Sequence, residues 1–216
     1  DDEMGCMGTM ARLVEQGVLV DTLFFTDGVA SRNYSEEERQ QTRGERTREM
    51  VVACGILGVR VSGLPADVLP DNAMDTVGVL CVAQMVESKL RNAGPFEVIY
   101  THQPNDLNVD HRIVCQAVLT ATRPTPGQTV KHVYAMEVLS STEWNFGAPA
   151  FSPNVFVPLT DEQMDKKRAA LRCYHSELRD FPHPRSIKAV DALARYRGAQ
   201  CGHPWAEAFQ LLREVR

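Results

Sequence analysis

The side chains best equipped for chemistry in this sequence fall in two places. Asp1, Asp2 and Glu3 open the chain, and THQPNDLNVDH, from Thr101 to His111, carries His102, Asn108, Asp110 and His111. Carboxylates and imidazoles are the ligands that hold a divalent metal, and a carboxylate beside a metal site can take a proton from water. Each cluster alone also has a plainer account. Asp-Asp-Glu ahead of an apolar helical pattern puts negative charge at the positive end of a helix. DLNVDH alone is satisfied by a turn, an Asp N-cap and a His packed on the following helix.

Elements must position these groups. Met4, Met7, Met10, Leu13 and Val14 recur at helical spacing from Glu3 to Gln16, and Gly17 ends the pattern. VLVDTLFF, Val18 to Phe25, predicts a strand buried on both faces. A charged stretch from Ser35 to Arg48 runs into MVVACGILGV as one helix ending near Gly58, followed by a strand in VRVSGL. A helix from Met74 to Leu90, a strand from Phe96 to Thr101, a helix from Asp110 to Ala121 and a strand in KHVYAMEVL repeat the alternation. FSPNVFVPLT predicts an edge strand, and Thr160 with Gln163 fits a capping box opening a helix to about His175. Proline-marked turns then set off two more helices, Ser186 to Arg197 and Trp205 to Val215.

Helices alternating with strands predict an α/β fold, Rossmann-like, with a mostly parallel sheet flanked by helices, in a single domain spanning 1–216. Ligands in such sheets bind beyond the carboxyl ends of strands, in the strand-to-helix loops. The loop TDGVASRN, Thr26 to Asn33, is a third polar loop of this kind and contains Arg32.

Composition narrows the partners. The 216 residues carry 23 Lys and Arg against 28 Asp and Glu, a net charge of −5 with no basic block, which argues against nucleic acid or an anionic lipid surface and for a small molecule. No stretch reaches the ~20 apolar residues of a membrane span, and no signal-peptide pattern is present, as expected of a cytoplasmic protein. Six scattered cysteines, four of them (Cys6, Cys54, Cys81, Cys115) in apolar helical patterns, read as reduced and mostly buried thiols. The glycines form no G-x-G-x-x-G, which disfavours a dinucleotide cofactor.

Taken together, the two clusters are similar to a known family. DDEMGCMGTMARLVEQGVLVDTLFFTDG resembles the opening of the PIG-L/LmbE-like zinc-dependent de-N-acetylases, whose hallmark is Ala-His-Pro-Asp-Asp-Glu at the end of the first strand. NVDHRIV matches the second hallmark, commonly His-Pro-Asp-His-Arg-x-Val, and the RTRE…LGV and C-terminal AEAF stretches also fit. The resemblance implies zinc-dependent hydrolysis of an N-acetylamino sugar or its conjugate, with a possible homo-oligomer. It implies Asp1 as general base and Asp2 and His111 as zinc ligands. The third ligand would be a His two positions before the Asp pair, in an expected upstream segment of about 6–12 apolar residues, a strand plus turn, ending in Ala-His-Pro.

The sequence departs from the family at Asn108, where the pattern has a His that stabilises the oxyanion or protonates the leaving group. Asn donates a hydrogen bond but no proton at neutral pH. His102, at the mouth of the same loop, could supply that proton. Asp110 would orient a ligand imidazole or cap the next helix. Arg46, the Arg of the R-x-x-E stretch, and Arg32 are candidates for sugar or phosphate contacts. SSTEWNF could form a substrate wall with Trp144, while His183 and His203 read as loop residues and Glu207 as an anchor for the last helix. Two other classes stay open: a catalytically inert sugar-binding homologue, and a nucleotide-sugar enzyme of different reaction.

Overall fold

The computed structural model describes residues 2–29, 34–62, 69–147 and 149–216, with the side chain of Asp2 outside that description. The chain divides into two compact units, residues 1–72 with 156–207 and residues 73–155 with 208–216.

In the first unit a 3-10 turn, Asp2–Gly5, leads into α1, Met7–Glu15. Strand β1, Asp21–Leu23, pairs in parallel with β2, Arg60–Ser62, and the directly opposed Asp21 and Arg60 form an ion pair at 2.6 Å. Between them runs α2, Glu36–Leu57. Its start is a capping box: the Ser35 hydroxyl accepts from Glu38 N while the Glu38 carboxylate accepts from Ser35 N. Gly58, at φ 73°, ends it in the left-handed conformation that glycine adopts without a Cβ clash. Helix α5, Asp161–Leu171, begins with the predicted Thr160–Gln163 capping box and packs on α1 and α2. Helix α6, Ile187–Cys201, is capped by Ser186. Leu159, Met164, Ala194 and Trp205 form a buried cluster between these elements.

In the second unit α3, Val79–Ala93, and α4, Val109–Ala121, pack on each other, and α4 lies on β3, Val98–His102. Strand β3 pairs in parallel with β4, His132–Met136, which pairs antiparallel with β6, Ala206–Glu214. Strand β5, Val155–Pro158, lies at the edge in the order β3-β4-β6-β5, as FSPNVFVPLT predicts. Strands β5 and β6 each pass from one unit into the other along the chain.

The α/β class with helices flanking the strands agrees with the sequence; the pairing is mixed, parallel in β1–β2 and β3–β4 and antiparallel in β4–β6, and two elements differ. Where the sequence predicts a helix from Trp205 to Val215, the chain forms strand β6, Ala206–Glu214: Trp205, Ala206, Glu207, Ala208 and Phe209 are buried consecutively, which a strand flanked on both edges permits and an amphipathic helix does not. The run from Val18 to Phe25 is strand only at 21–23, and Val18 and Leu19 are exposed rather than buried. Cys81 lies exposed on α3, whereas Cys6, Cys54 and Cys115 are buried as expected. Among the described residues no helix is long and apolar enough to cross a membrane.

Candidate active site

The loop after β3 folds around one carboxylate. Asp106 is fully buried, and its Oδ1 accepts from Asn108 N at 2.9 Å and from the Ser141 hydroxyl. Its Oδ2 accepts from the Thr142 hydroxyl at 2.5 Å. His111, in the first turn of α4, sets Nδ1 3.1 Å from Asp106 Oδ1 and 3.4 Å from Ser141 Oγ. Burial pushes the Asp106 carboxyl up, but the hydrogen bond and charge of His111 and the two hydroxyls outweigh it and leave the acid below its ordinary value. His102, the last residue of β3, stacks its ring on His111 with centroids 4.1 Å apart and planes 17° apart.

Local sequence accounts for this packing. Asn108 is the N-cap of α4, its Oδ1 accepting from Asp110 N at 2.8 Å, so the next turn delivers His111 to the buried side. Arg112 Nη1 donates to the carbonyls of Asp106 and Leu107 at 2.7 Å each and closes the loop from outside. The Asp110 carboxylate accepts from Met74 N at 2.9 Å, at the start of the turn Met74–Thr76. Trp144 ends the 3-10 turn Thr142–Trp144 and is partly exposed, with Phe146 almost wholly exposed beside it. Asn145 ties that turn back by donating to the Asn105 carbonyl.

In the first unit, the segment carrying the acidic triplet is held from behind. Glu3 is buried and accepts a hydrogen bond from the Tyr174 hydroxyl. Cys6, the N-cap of α1, makes no side-chain cap, and Glu207 replaces it: its carboxylate accepts from Gly8 N at 2.8 Å and Thr9 N at 2.6 Å. Lys167 pairs with the same carboxylate at 2.6 Å, both groups buried. Glu207 thus anchors α1 from a strand, in place of the expected role in a last helix. Arg46 is largely buried and pairs with Glu177, whose other oxygen accepts from Arg185 Nη1 at 2.7 Å. Gly28, at φ 68°, lies over Arg46, and a Cβ there would sit 3.0 Å from Nη1.

Asp1, Arg32 and the Asp2 side chain lie outside the described residues. His102 and His111 come together in one stack, with Asn108 and Asp110 in the turn that starts α4. Asp106 lies in the THQPNDLNVDH loop and Ser141 and Thr142 in SSTEWNF, and nothing in either stretch marks these three residues as partners. The hydroxyls stand 35 and 36 residues beyond the carboxylate they bind, and only the Asp-Leu-Asn turn pattern marks Asp106 locally. His183 Nδ1 accepts from Arg185 N at 3.0 Å as part of its own loop. Among the described residues, no three His, Cys, Asp or Glu side chains are grouped to hold a metal ion.

A family model described as PIG-L, GlcNAc-PI de-N-acetylase, matches residues 1–122. The chain is 26% identical over 183 residues to an uncharacterized deacetylase, YaiS, of Escherichia coli, covering 82% of this chain and 85% of that one. Its fold is similar to that of N,N'-diacetylchitobiose deacetylase from Pyrococcus horikoshii, with a TM-score of 0.71 at 18% identity over 99% of this chain and 80% of that one. It is equally similar to GalB, the 4-carboxy-2-hydroxymuconate hydratase of Pseudomonas putida, with a TM-score of 0.70 at 21% identity over 100% and 93%.

Proposed function

The chain belongs to the PIG-L, GlcNAc-PI de-N-acetylase, family, and from that premise we propose that it hydrolyses the acetamido group of an N-acetylamino sugar or sugar conjugate, releasing acetate and a free amine. The observation that carries this reading is His111. It closes the NVDH motif, is buried in the first turn of α4, faces Asp106 through Nδ1 and stacks on His102. The fold does not choose the reaction, because a hydratase shares it.

An imidazole engaged through Nδ1 can bind a metal through Nε2, and an imidazole and a carboxylate are two of the donor types that a three-ligand catalytic zinc takes. Asp2 and His111 are the residues of this chain that would hold it. Zinc bound there would act as a Lewis acid on the amide carbonyl and on water. Asp1 would take the proton from the attacking water. Asn108, through Nδ2, would donate to the oxygen that gains charge, and His102 would deliver the proton that the departing nitrogen requires. Asp110 would hold the start of α4 in place through Met74 N. Arg46 and Arg32 would grip the sugar or its conjugate.

The test is acetate release from free, lipid-linked and nucleotide-linked N-acetyl sugars in the presence of added zinc. Asp1→Asn should lower turnover roughly 10²–10⁴-fold while bound zinc, measured by elemental analysis, is retained. Absence of acetate from every substrate class sinks the proposed reaction, and undiminished turnover in Asp1→Asn sinks the assignment of the base. An inert sugar-binding homologue would bind the sugars with neither zinc nor acetate.

A further inference from the structure

Asp106 is the most deeply buried carboxylate among the described residues, and its surroundings dictate more than its own charge. The donor at Asn108 is a backbone N–H, which has no alternative role. Thr142 Oγ1 accepts from Val138 N at 2.8 Å, so its single proton is directed to Asp106 Oδ2. The Ser141 hydroxyl adds a third donor, on Oδ1. A carboxyl group that receives donors on both oxygens in this way acts as an acceptor on both. An obligate acceptor 3.1 Å from His111 Nδ1 requires the imidazole proton on that nitrogen, which leaves the lone pair on Nε2. The stacked His102 ring restrains the plane of the imidazole, and Asp106 restrains its rotation within that plane.

The turn that supplies the hydroxyls is itself fixed. Ser140 has φ 71°, uncommon for a residue with a Cβ, and the Glu143 carboxylate accepts from Ser140 N at 2.6 Å and Ser141 N at 3.2 Å. The stretch SSTE therefore forms a bracket: Glu143 shapes the turn, and Ser141 and Thr142 hold Asp106.

We propose that Asp106, held by the Ser140–Glu143 bracket, is a positioning residue that locks His111 in the Nδ1–H tautomer and so makes Nε2 its metal-binding atom. The inference rests on the proposed role of His111 as a zinc ligand, yet its first readout needs neither zinc nor substrate. Long-range ¹H–¹⁵N NMR of the ¹⁵N-labelled full chain, with His111 assigned by comparison with His111→Asn, should show His111 protonated on Nδ1 before zinc is added. In Asp106→Asn the carboxamide NH₂ can take the place of the acceptor, so the tautomer should shift toward Nε2–H. Zinc affinity, read by competition with a chromophoric chelator, should fall tenfold or more. Ser141→Ala keeps the carboxylate and should give a smaller loss of affinity in the same direction.

A wild-type His111 protonated on Nε2 overturns the proposal, as does a folded Asp106→Asn with unchanged tautomer and zinc affinity. If Asp106→Asn does not fold, the wild-type tautomer and Ser141→Ala decide the question by the same criteria. If acetate release fails while the tautomer is as stated, the proposed reaction falls and the lock stands.

Discussion

Replacing Glu207 with Gln removes one negative charge from a place where three donors converge. The carboxylate accepts from Gly8 N, Thr9 N and Lys167 Nζ, all at 2.6–2.8 Å. A carboxamide oxygen can satisfy part of this set, but its NH₂ must then face a backbone N–H or an ammonium group, donor against donor. The Lys167 side chain is only 6% exposed, so water cannot replace the lost anion. Removing one partner of a buried pair costs about 3–5 kcal/mol, and losing a helix cap typically ~1 kcal/mol. We therefore expect Glu207→Gln to destabilise the chain by about 3–5 kcal/mol. At about 2–4 °C per kcal/mol for a chain of this size, the melting temperature should drop by roughly 6–20 °C. Urea unfolding of the wild type, Glu207→Gln, Lys167→Met and the double variant gives the coupling directly. The double variant should cost less than the two single losses together by about 1–3 kcal/mol. A Glu207→Gln loss below about 1 kcal/mol, the ordinary worth of one hydrogen bond, refutes the reasoning, as does an additive cycle.

Gly8→Ala should also destabilise, by about 1–3 kcal/mol in thermal unfolding, against the gain of up to ~1 kcal/mol that helix propensity alone implies. The added Cβ would lie 2.4 Å from Leu159 Cδ1 in a packed cluster and 3.1 Å from Glu207 Oε1; a net gain in stability contradicts this. Burial pushes the Cys54 thiol up to about 11 and the Cys115 thiol to about 12, so brief alkylation at pH 8 should label the exposed Cys81 and spare both. Equal labelling of Cys115 and Cys81, read by peptide mass spectrometry, would contradict it. Arg46→Ala should raise KM for the proposed amino-sugar substrate roughly 10–100-fold, the worth of one or two charged hydrogen bonds, and Arg185→Ala much less, although both lose the Glu177 partner. Equal effects on KM would mean that Arg46 only supports the fold.

Local signals in the sequence survived into the structure wherever a few neighbouring residues decide the outcome. The Thr160–Gln163 capping box and the Gly58 helix stop are read within four residues of chain, and both stand as written. The C-terminal strand was not legible because Ala, Glu, Leu and Arg favour a helix in isolation, whereas β4 and β5 on either side supply the backbone partners that make it a strand. Propensity is the weaker term when a buried row of backbone groups must be paired. The motif residues of the candidate site could be found in the sequence because they lie in short stretches. Their supports could not: Asp106 meets hydroxyls 35 and 36 residues away, and Glu207 caps a helix almost 200 residues earlier.

Asn108 shows why one departure from the family pattern alters more than one function. Its carboxamide oxygen caps α4 from an extended backbone, at φ −68° and ψ 128°, and reaches Asp110 N at 2.8 Å. Histidine is not among the residues favoured at that position, so a chain with Asn here gains about 1 kcal/mol of helix capping and gives up a titratable group. The gain falls on the turn that fixes Asp110 and His111, and hence on the geometry of the proposed metal ligand. In the proposed reaction the loss would fall on the proton supply. His102 would make it up in that reaction: it sits at the end of β3, where the parallel pairing with β4 sets its position, and its ring lies against His111. The proposed reaction thus divides between a helix start that positions and a strand end that delivers the proton, two tasks that the family's motif assigns to a single helix start.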